Sequence, residues 1–157
     1  MQLIEVGKKA PAFKLKNQRD EWVSLSGLKG QRVVLYFYPK ALTPGCTVQA
    51  CGLRDAKEEL ASRGAIAIGV SPDPVARLEK FEQKHELNFD LLSDEDHQLA
   101  EKYGVWGLKK FMGREFMGVN RVTYIIDENG KIAEVFPKVK TKTHHDDVLA
   151  ALDALSA

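Results

Sequence analysis

A six-residue apolar run, Val33 to Tyr38 (VVLYFY), ends at Pro39, and a cysteine-bearing helix opens a few residues later. A short run of β-branched, aromatic and aliphatic residues between Gly30 and Pro39 marks a strand covered on both faces. Such a strand sits near the centre of a parallel or mixed sheet. Pro39 has no N–H to give to a neighbouring strand, so pairing is expected to end there. Thr43-Pro44-Gly45-Cys46 then reads as a helix start, with threonine as the cap and proline at the first helical position. The helix is expected to continue through TVQACGLRDAKEELASR and stop at Gly64, with Val48, Leu53, Ala56 and Leu60 at helical spacing.

The placement of Cys46 has chemical consequences. N–H groups in the first helical turn have no carbonyl partner inside the helix, and the positive end of the helix dipole lies beside them. Both favour a thiolate over a thiol, and the same donors can hold a polarised oxygen. The Thr43 hydroxyl, three residues before Cys46, is placed to bond either the sulfur or an oxygen substrate. Cys51 follows five residues after Cys46. On the residues alone, other readings stay open. A free cysteine also packs as a small hydrophobe. A dithiol pair also serves disulfide exchange, although C-x-x-C is the spacing that chemistry favours, or a redox switch that binds a partner in one state. A metal site would need further ligands, and His144 and His145 lie far along the chain.

Pro39, Thr43 and Cys46 match the P-x-x-x-T-x-x-C active-site motif of peroxiredoxins. The longer string YFYPKALTPGCTVQACGLRD resembles the bacterioferritin comigratory protein (peroxiredoxin Q) subfamily, and the resemblance extends over essentially the whole chain. It implies a thiol peroxidase that reduces hydrogen peroxide and organic hydroperoxides. Cys46 is then the attacking cysteine and Cys51 its resolving partner, joined in a Cys46–Cys51 disulfide that thioredoxin or a similar dithiol protein reduces. Pro39, Pro44 and Gly45 shape the active-site loop, and Arg121, in NRVTYIID, matches the arginine that sits beside the thiolate. No cofactor and no metal are implied, and the subfamily leans to monomers. Arg54 is given no catalytic role. Residues five apart on an α-helix have Cα atoms roughly 8.7 Å apart. A disulfide needs less than about 7 Å. The implied bridge therefore requires the helix to unwind between Cys46 and about Leu53.

Composition adds exclusions. The chain has 157 residues, 29% of them charged, and a net charge of +1, which gives no reason to expect nucleic acid or an anionic membrane as partner. No apolar run reaches spanning length, and the start MQLIEVGKKAP reads as mature sequence, so a cytoplasmic location is expected. One domain over residues 1–157 is expected.

Phe13–Leu15 and Trp22–Leu25 read as an N-terminal hairpin. Ala65–Val70, Phe89–Leu92, Arg121–Asp127 and Lys131–Phe136 read as strands. Helices are expected from Pro74 to Glu86, from Asp94 to Tyr103 with Ser93 as cap, and from His144 to Leu155. Val105–Asn120 reads as a loop packed on the domain, and Lys138, Lys140 and Lys142 as a solvated face. The fold class is α/β. The resemblance, rather than composition, makes it a thioredoxin-like central mixed sheet flanked by helices, with an N-terminal β-hairpin.

Overall fold

The computed structural model describes residues 2–157. Two short strands, β1 (Lys14–Lys16) and β2 (Trp22–Ser24), pair antiparallel as the expected hairpin. Strand β3 (Arg32–Phe37) follows and is buried from Val33 onward. Helices α1 (Pro44–Asp55) and α2 (Lys57–Ser62) lead to β4 (Ala65–Ser71), then α3 (Val75–His85) and β5 (Asp90–Ser93). After α4 (Gln98–Lys102) come β6 (Trp106–Phe111), β7 (Arg114–Val119), β8 (Val122–Ile126), β9 (Ile132–Phe136) and α5 (His144–Ser156).

The main sheet has the order β5-β4-β3-β8-β9. β3 runs parallel to β4 and antiparallel to β8, so the apolar run is the centre of a mixed sheet. Alternate residues of β3 feed the two cores. Val34, Tyr36 and Tyr38 join Leu53, Phe81, Ile125 and Leu152 under α1, α3 and α5. Val33, Leu35 and Phe37 join Tyr103, Tyr124 and Ile126 on the other face. The last ladder bond runs from Tyr38 N–H to the Val70 carbonyl (3.0 Å), and Pro39 ends the pairing.

Four local readings differ from the sequence expectation. The helix after Cys46 is interrupted at Ala56. There the Asn88 amide donates to the Arg54 carbonyl (3.2 Å), taking an acceptor that a continuous helix would use. Val48 is 44% exposed, and buried Gln49 stands on the inner face beside Cys46. The helix expected from Asp94 shortens to α4, because His97 takes a left-handed conformation (φ 50°). The Asp94 carboxylate, rather than Ser93, accepts from the Leu99 and Ala100 N–H groups (3.0 and 2.9 Å).

The largest difference is Val105–Asn120, which is a β-hairpin rather than a loop. Phe111 pairs with Arg114, so Met112 and Gly113 form a two-residue turn with φ values of 51° and 77°. That is the geometry Asn-Gly usually supplies, and methionine in the first position hides the signal.

Candidate active site

Register places the site. Phe37 of β3 is opposite Val122 of β8. Arg121 therefore lies one step beyond the strand, at the edge where β3 hands the chain to Pro39 and the loop into α1. Side chains two apart on a strand share a face, so Arg121, Thr123 and Ile125 all point toward α1.

The loop from Pro39 to Thr43 is fixed from below. Buried Asp73 accepts from the Ala41 N–H (2.7 Å) and the Ser71 hydroxyl (2.7 Å), and pairs with Arg77 Nε (3.3 Å). Arg77 in turn donates to the Ala41 carbonyl (2.6 Å). Both polar groups of Ala41 are thus held by side chains. The next residue, Leu42, has φ 67°, an unfavourable value for a side-chain-bearing residue that this clamp sustains.

α1 begins as expected, with Thr43 at the N-cap and Pro44 first in the helix. The Thr43 hydroxyl does not cap the helix and does not bond the sulfur; it donates to the Lys40 carbonyl (2.7 Å). Its hydrogen is committed there, so its oxygen offers only lone pairs. Gly45 and Cys46 are left with N–H groups that have no intrahelical acceptor.

Cys46 is buried and free, and Cys51 is half-buried and free. Arg121 Nη2 lies 3.3 Å from the Cys46 sulfur. Gly45 makes room for it: a Cβ there would stand 3.3 Å from Arg121 Nη2. Arg121 Nη1 donates to Gln49 Oε1 (2.9 Å), and Gln49 Nε2 is 3.3 Å from His144 Nδ1. His144 Nε2 completes the chain 2.8 Å from Thr123 Oγ1.

Donor logic sets the proton on His144. Arg121 can only donate, so Gln49 presents oxygen to it and nitrogen to His144. Nδ1 therefore accepts and Nε2 carries the hydrogen toward Thr123. The ring must be neutral for this, and burial pushes its pKa down to about 4.

A second cation stands close by. Lys109 of β6 donates to the Val119 carbonyl (2.9 Å), and burial together with the charge of Arg121 lowers its ammonium below the usual lysine range. Cys46 thus faces an arginine fork at the N-terminal turn of α1. A planar fork of donors set against a sulfur can orient two adjoining oxygens.

The structure brings Pro39, Thr43, Pro44, Gly45, Cys46 and Arg121 together, and keeps Cys51 one and a half turns along the same helix. Arg54 is a packing residue, donating to the His85 carbonyl at the end of α3 (2.7 Å). Sequence reasoning missed Gln49, His144, Lys109 and Thr123. Gln49 had a signal: it follows Cys46 by three residues, so both share a helix face. The other three come together only through the topology. Among the described residues, no group of three or more His, Cys, Asp or Glu side chains is arranged to hold a metal ion, and no helix is long and apolar enough to cross a membrane.

Residues 6–135 match the AhpC/TSA family. The chain belongs to that family and, within it, to the bacterioferritin comigratory (Bcp) peroxiredoxins, thiol peroxidases that reduce peroxides. It is 54% identical over 155 residues to the putative peroxiredoxin Bcp of Haemophilus influenzae, covering 99% of this chain and 100% of that one. It is 52% identical over 149 residues to peroxiredoxin Bcp of Escherichia coli K12, covering 95% and 96%.

Solved structures agree. The Xanthomonas campestris bacterioferritin comigratory protein, studied for alkyl peroxide reduction, superposes with a TM-score of 0.90 at 31% identity, over 98% of this chain and 100% of that one. A cysteine-to-serine variant of PrxQ from Xylella fastidiosa superposes at 0.94 with 27% identity, over the full length of both chains. The thioredoxin-like peroxiredoxin fold expected from the sequence is the fold observed.

Proposed function

We propose that the chain is a two-cysteine hydroperoxide reductase in which Cys46 attacks and Cys51 resolves. The Cys46 thiolate attacks the terminal oxygen of a hydroperoxide, the O–O bond breaks, and the leaving alkoxide or hydroxide takes a proton to become alcohol or water. Sulfur is oxidised to sulfenic acid by the two electrons that the peroxide gains. The Cys51 thiolate then attacks the sulfenic sulfur, forming the Cys46–Cys51 disulfide and releasing water. Thioredoxin or a similar dithiol protein returns both cysteines to thiols by exchange. Sulfur carries both electrons throughout, so the scheme calls for no cofactor.

The observation that carries this reading is the 3.3 Å contact between Arg121 Nη2 and the Cys46 sulfur. Arg121 stabilises the thiolate and then the charge developing on the peroxide oxygens. Thr43, whose hydrogen is already donated to Lys40, accepts the O–H of the incoming hydroperoxide. Pro39, Pro44 and Gly45 shape the loop and leave the arginine its room. Hydrogen peroxide and organic hydroperoxides are the proposed substrates. The protein acts as a single-domain, cytoplasmic monomer, with neither nucleic acid nor membrane as partner.

The test is peroxide-dependent NADPH oxidation coupled through thioredoxin and its reductase. Cys46→Ser is expected to be inactive. Cys51→Ser is expected to react once, stop at the sulfenic acid and lose most turnover. Retention of a tenth or more of wild-type turnover by Cys46→Ser would overturn the assignment.

A further inference from the structure

The segment that must open for a Cys46–Cys51 bridge is packed against α5. The contact falls on Gly52, next to Cys51. A Cβ built on Gly52 would stand 3.1 Å from His145 Cε1 and Cγ and closer still to Nδ1. The imidazole thus fills the space a side chain would occupy, seated directly on the helix. His145 Nδ1 is buried there without a hydrogen-bond partner, and Nε2 lies 3.6 Å from Asp146 Oδ1. A buried ring nitrogen without a partner is a cost, so the ring is placed by packing on Gly52 rather than by polar recognition.

We propose that His145 is a positioning residue for the resolving step: seated on Gly52, it holds the turns of α1 from Cys46 to Leu53 closed, and so sets how the Cys46 sulfenic acid divides between two fates. This rests on the two-cysteine reading above. In one fate α1 opens, the Cys51 thiolate attacks the sulfenic sulfur, an S–S bond forms and water leaves. In the other, a second peroxide meets the sulfenate of the still-folded site, transfers one oxygen to sulfur and leaves as water or alcohol, giving sulfinic acid. Opening must lift Gly52 off His145. The Gln49–His144 bond must break as well, but it also steadies Arg121 and so bears on the first chemical step. His145 has no hydrogen bond in that chain, which leaves it free to act on opening alone.

The experiment compares wild type, His145→Ala and His145→Phe, reduced and then mixed with peroxide, with acid quenching and peptide mass spectrometry to count disulfide, sulfenic and sulfinic forms with time. In His145→Ala the first oxidation is expected at the wild-type rate within about twofold, while disulfide forms about five- to tenfold faster. That is the effect of losing one ordinary side-chain contact on a local equilibrium. The peroxide concentration giving half sulfinic acid should rise by the same factor. His145→Phe, which keeps a flat ring over Gly52, should restore the wild-type division; a general folding defect would not be rescued in this way. Wild-type rates of disulfide formation in His145→Ala, or no rescue by phenylalanine, would overturn the latch. Absence of a Cys46–Cys51 disulfide in wild type would instead overturn the two-cysteine reading itself, so the two failures are told apart in one data set.

Discussion

Arg121 bridges two residues of α1 with its two terminal nitrogens: Nη2 lies 3.3 Å from the Cys46 sulfur and Nη1 lies 2.9 Å from Gln49 Oε1. One planar group thus reads a sulfur and an amide three residues apart on one helix face. Lysine offers a single point charge and cannot hold both. Arg121→Lys should therefore slow the reaction of Cys46 with peroxide, and Arg121→Ala should slow it more. A charge-assisted hydrogen bond contributes about 1.5–3 kcal/mol. If that is lost from the transition state, the rate falls by roughly ten- to a hundredfold. Stopped-flow rate constants for the first oxidation check this, and an unchanged Arg121→Ala rate would remove Arg121 from the chemistry.

The Gln49 amide is the hinge between Arg121 and His144, and its two ends are not interchangeable. Gln49→Glu places an acceptor at both ends, which suits Arg121 but leaves the neutral His144 Nδ1 facing a carboxylate oxygen. Gln49→Leu removes both bonds. The expected order of peroxide reactivity is wild type above Gln49→Leu, with Gln49→Leu remaining above Arg121→Ala because the arginine keeps its contact with sulfur. Equal loss in the two variants would mean that Gln49, and not the fork itself, carries the effect.

His144 gives folding a pH dependence of definite sign. Its folded pKa is about 4, against an ordinary value of 6.5, because burial disfavours the charged ring. Between those values the unfolded chain binds a proton that the folded protein refuses. Stability therefore rises with pH through the window and is lost as pH falls from 6.5 toward 4. The loss is up to ~1.4 kcal/mol per pH unit and roughly 3 kcal/mol in all. Urea unfolding of wild type and His144→Gln from pH 4 to 7 should show a stability difference that shrinks as pH falls. A difference constant across that range would mean that His144 titrates normally in the folded protein.

Asp73 is a structural support of the loop that precedes Cys46. Asp73→Ala leaves the buried Ala41 N–H without its acceptor and Arg77 without its paired carboxylate. The cost expected from an unpaired buried donor plus an uncompensated partial charge is about 2–4 kcal/mol. Thermal or urea unfolding measures it, and a loss below ~1 kcal/mol would show that the loop is held by other contacts.

Much of this architecture was legible because it is written in local pattern. The VVLYFY strand, the Thr-Pro start of α1 and the stop at Gly104 (φ 72°) each follow from the stereochemistry of one or two residues. What was hidden depends on distant parts of the chain. His144 is adjacent to Gln49 only because α5 packs on α1, and the break at Ala56 lies where Asn88, more than thirty residues on, reaches the Arg54 carbonyl. The β6–β7 hairpin was missed for a local reason, a Met112-Gly113 turn in place of the usual Asn-Gly.

The protein holds Cys46 and Cys51 as free thiols in one intact helix, and a disulfide between them requires that helix to unwind. At five residues' separation their Cα atoms are too far apart, by roughly 2 Å, for a disulfide. Amide hydrogen exchange followed by mass spectrometry, on reduced protein and on protein oxidised with one equivalent of peroxide, tests this directly. Residues 46–53 should exchange much faster after oxidation while the Val33–Tyr38 strand remains protected; equal protection of residues 46–53 in both forms would contradict the account.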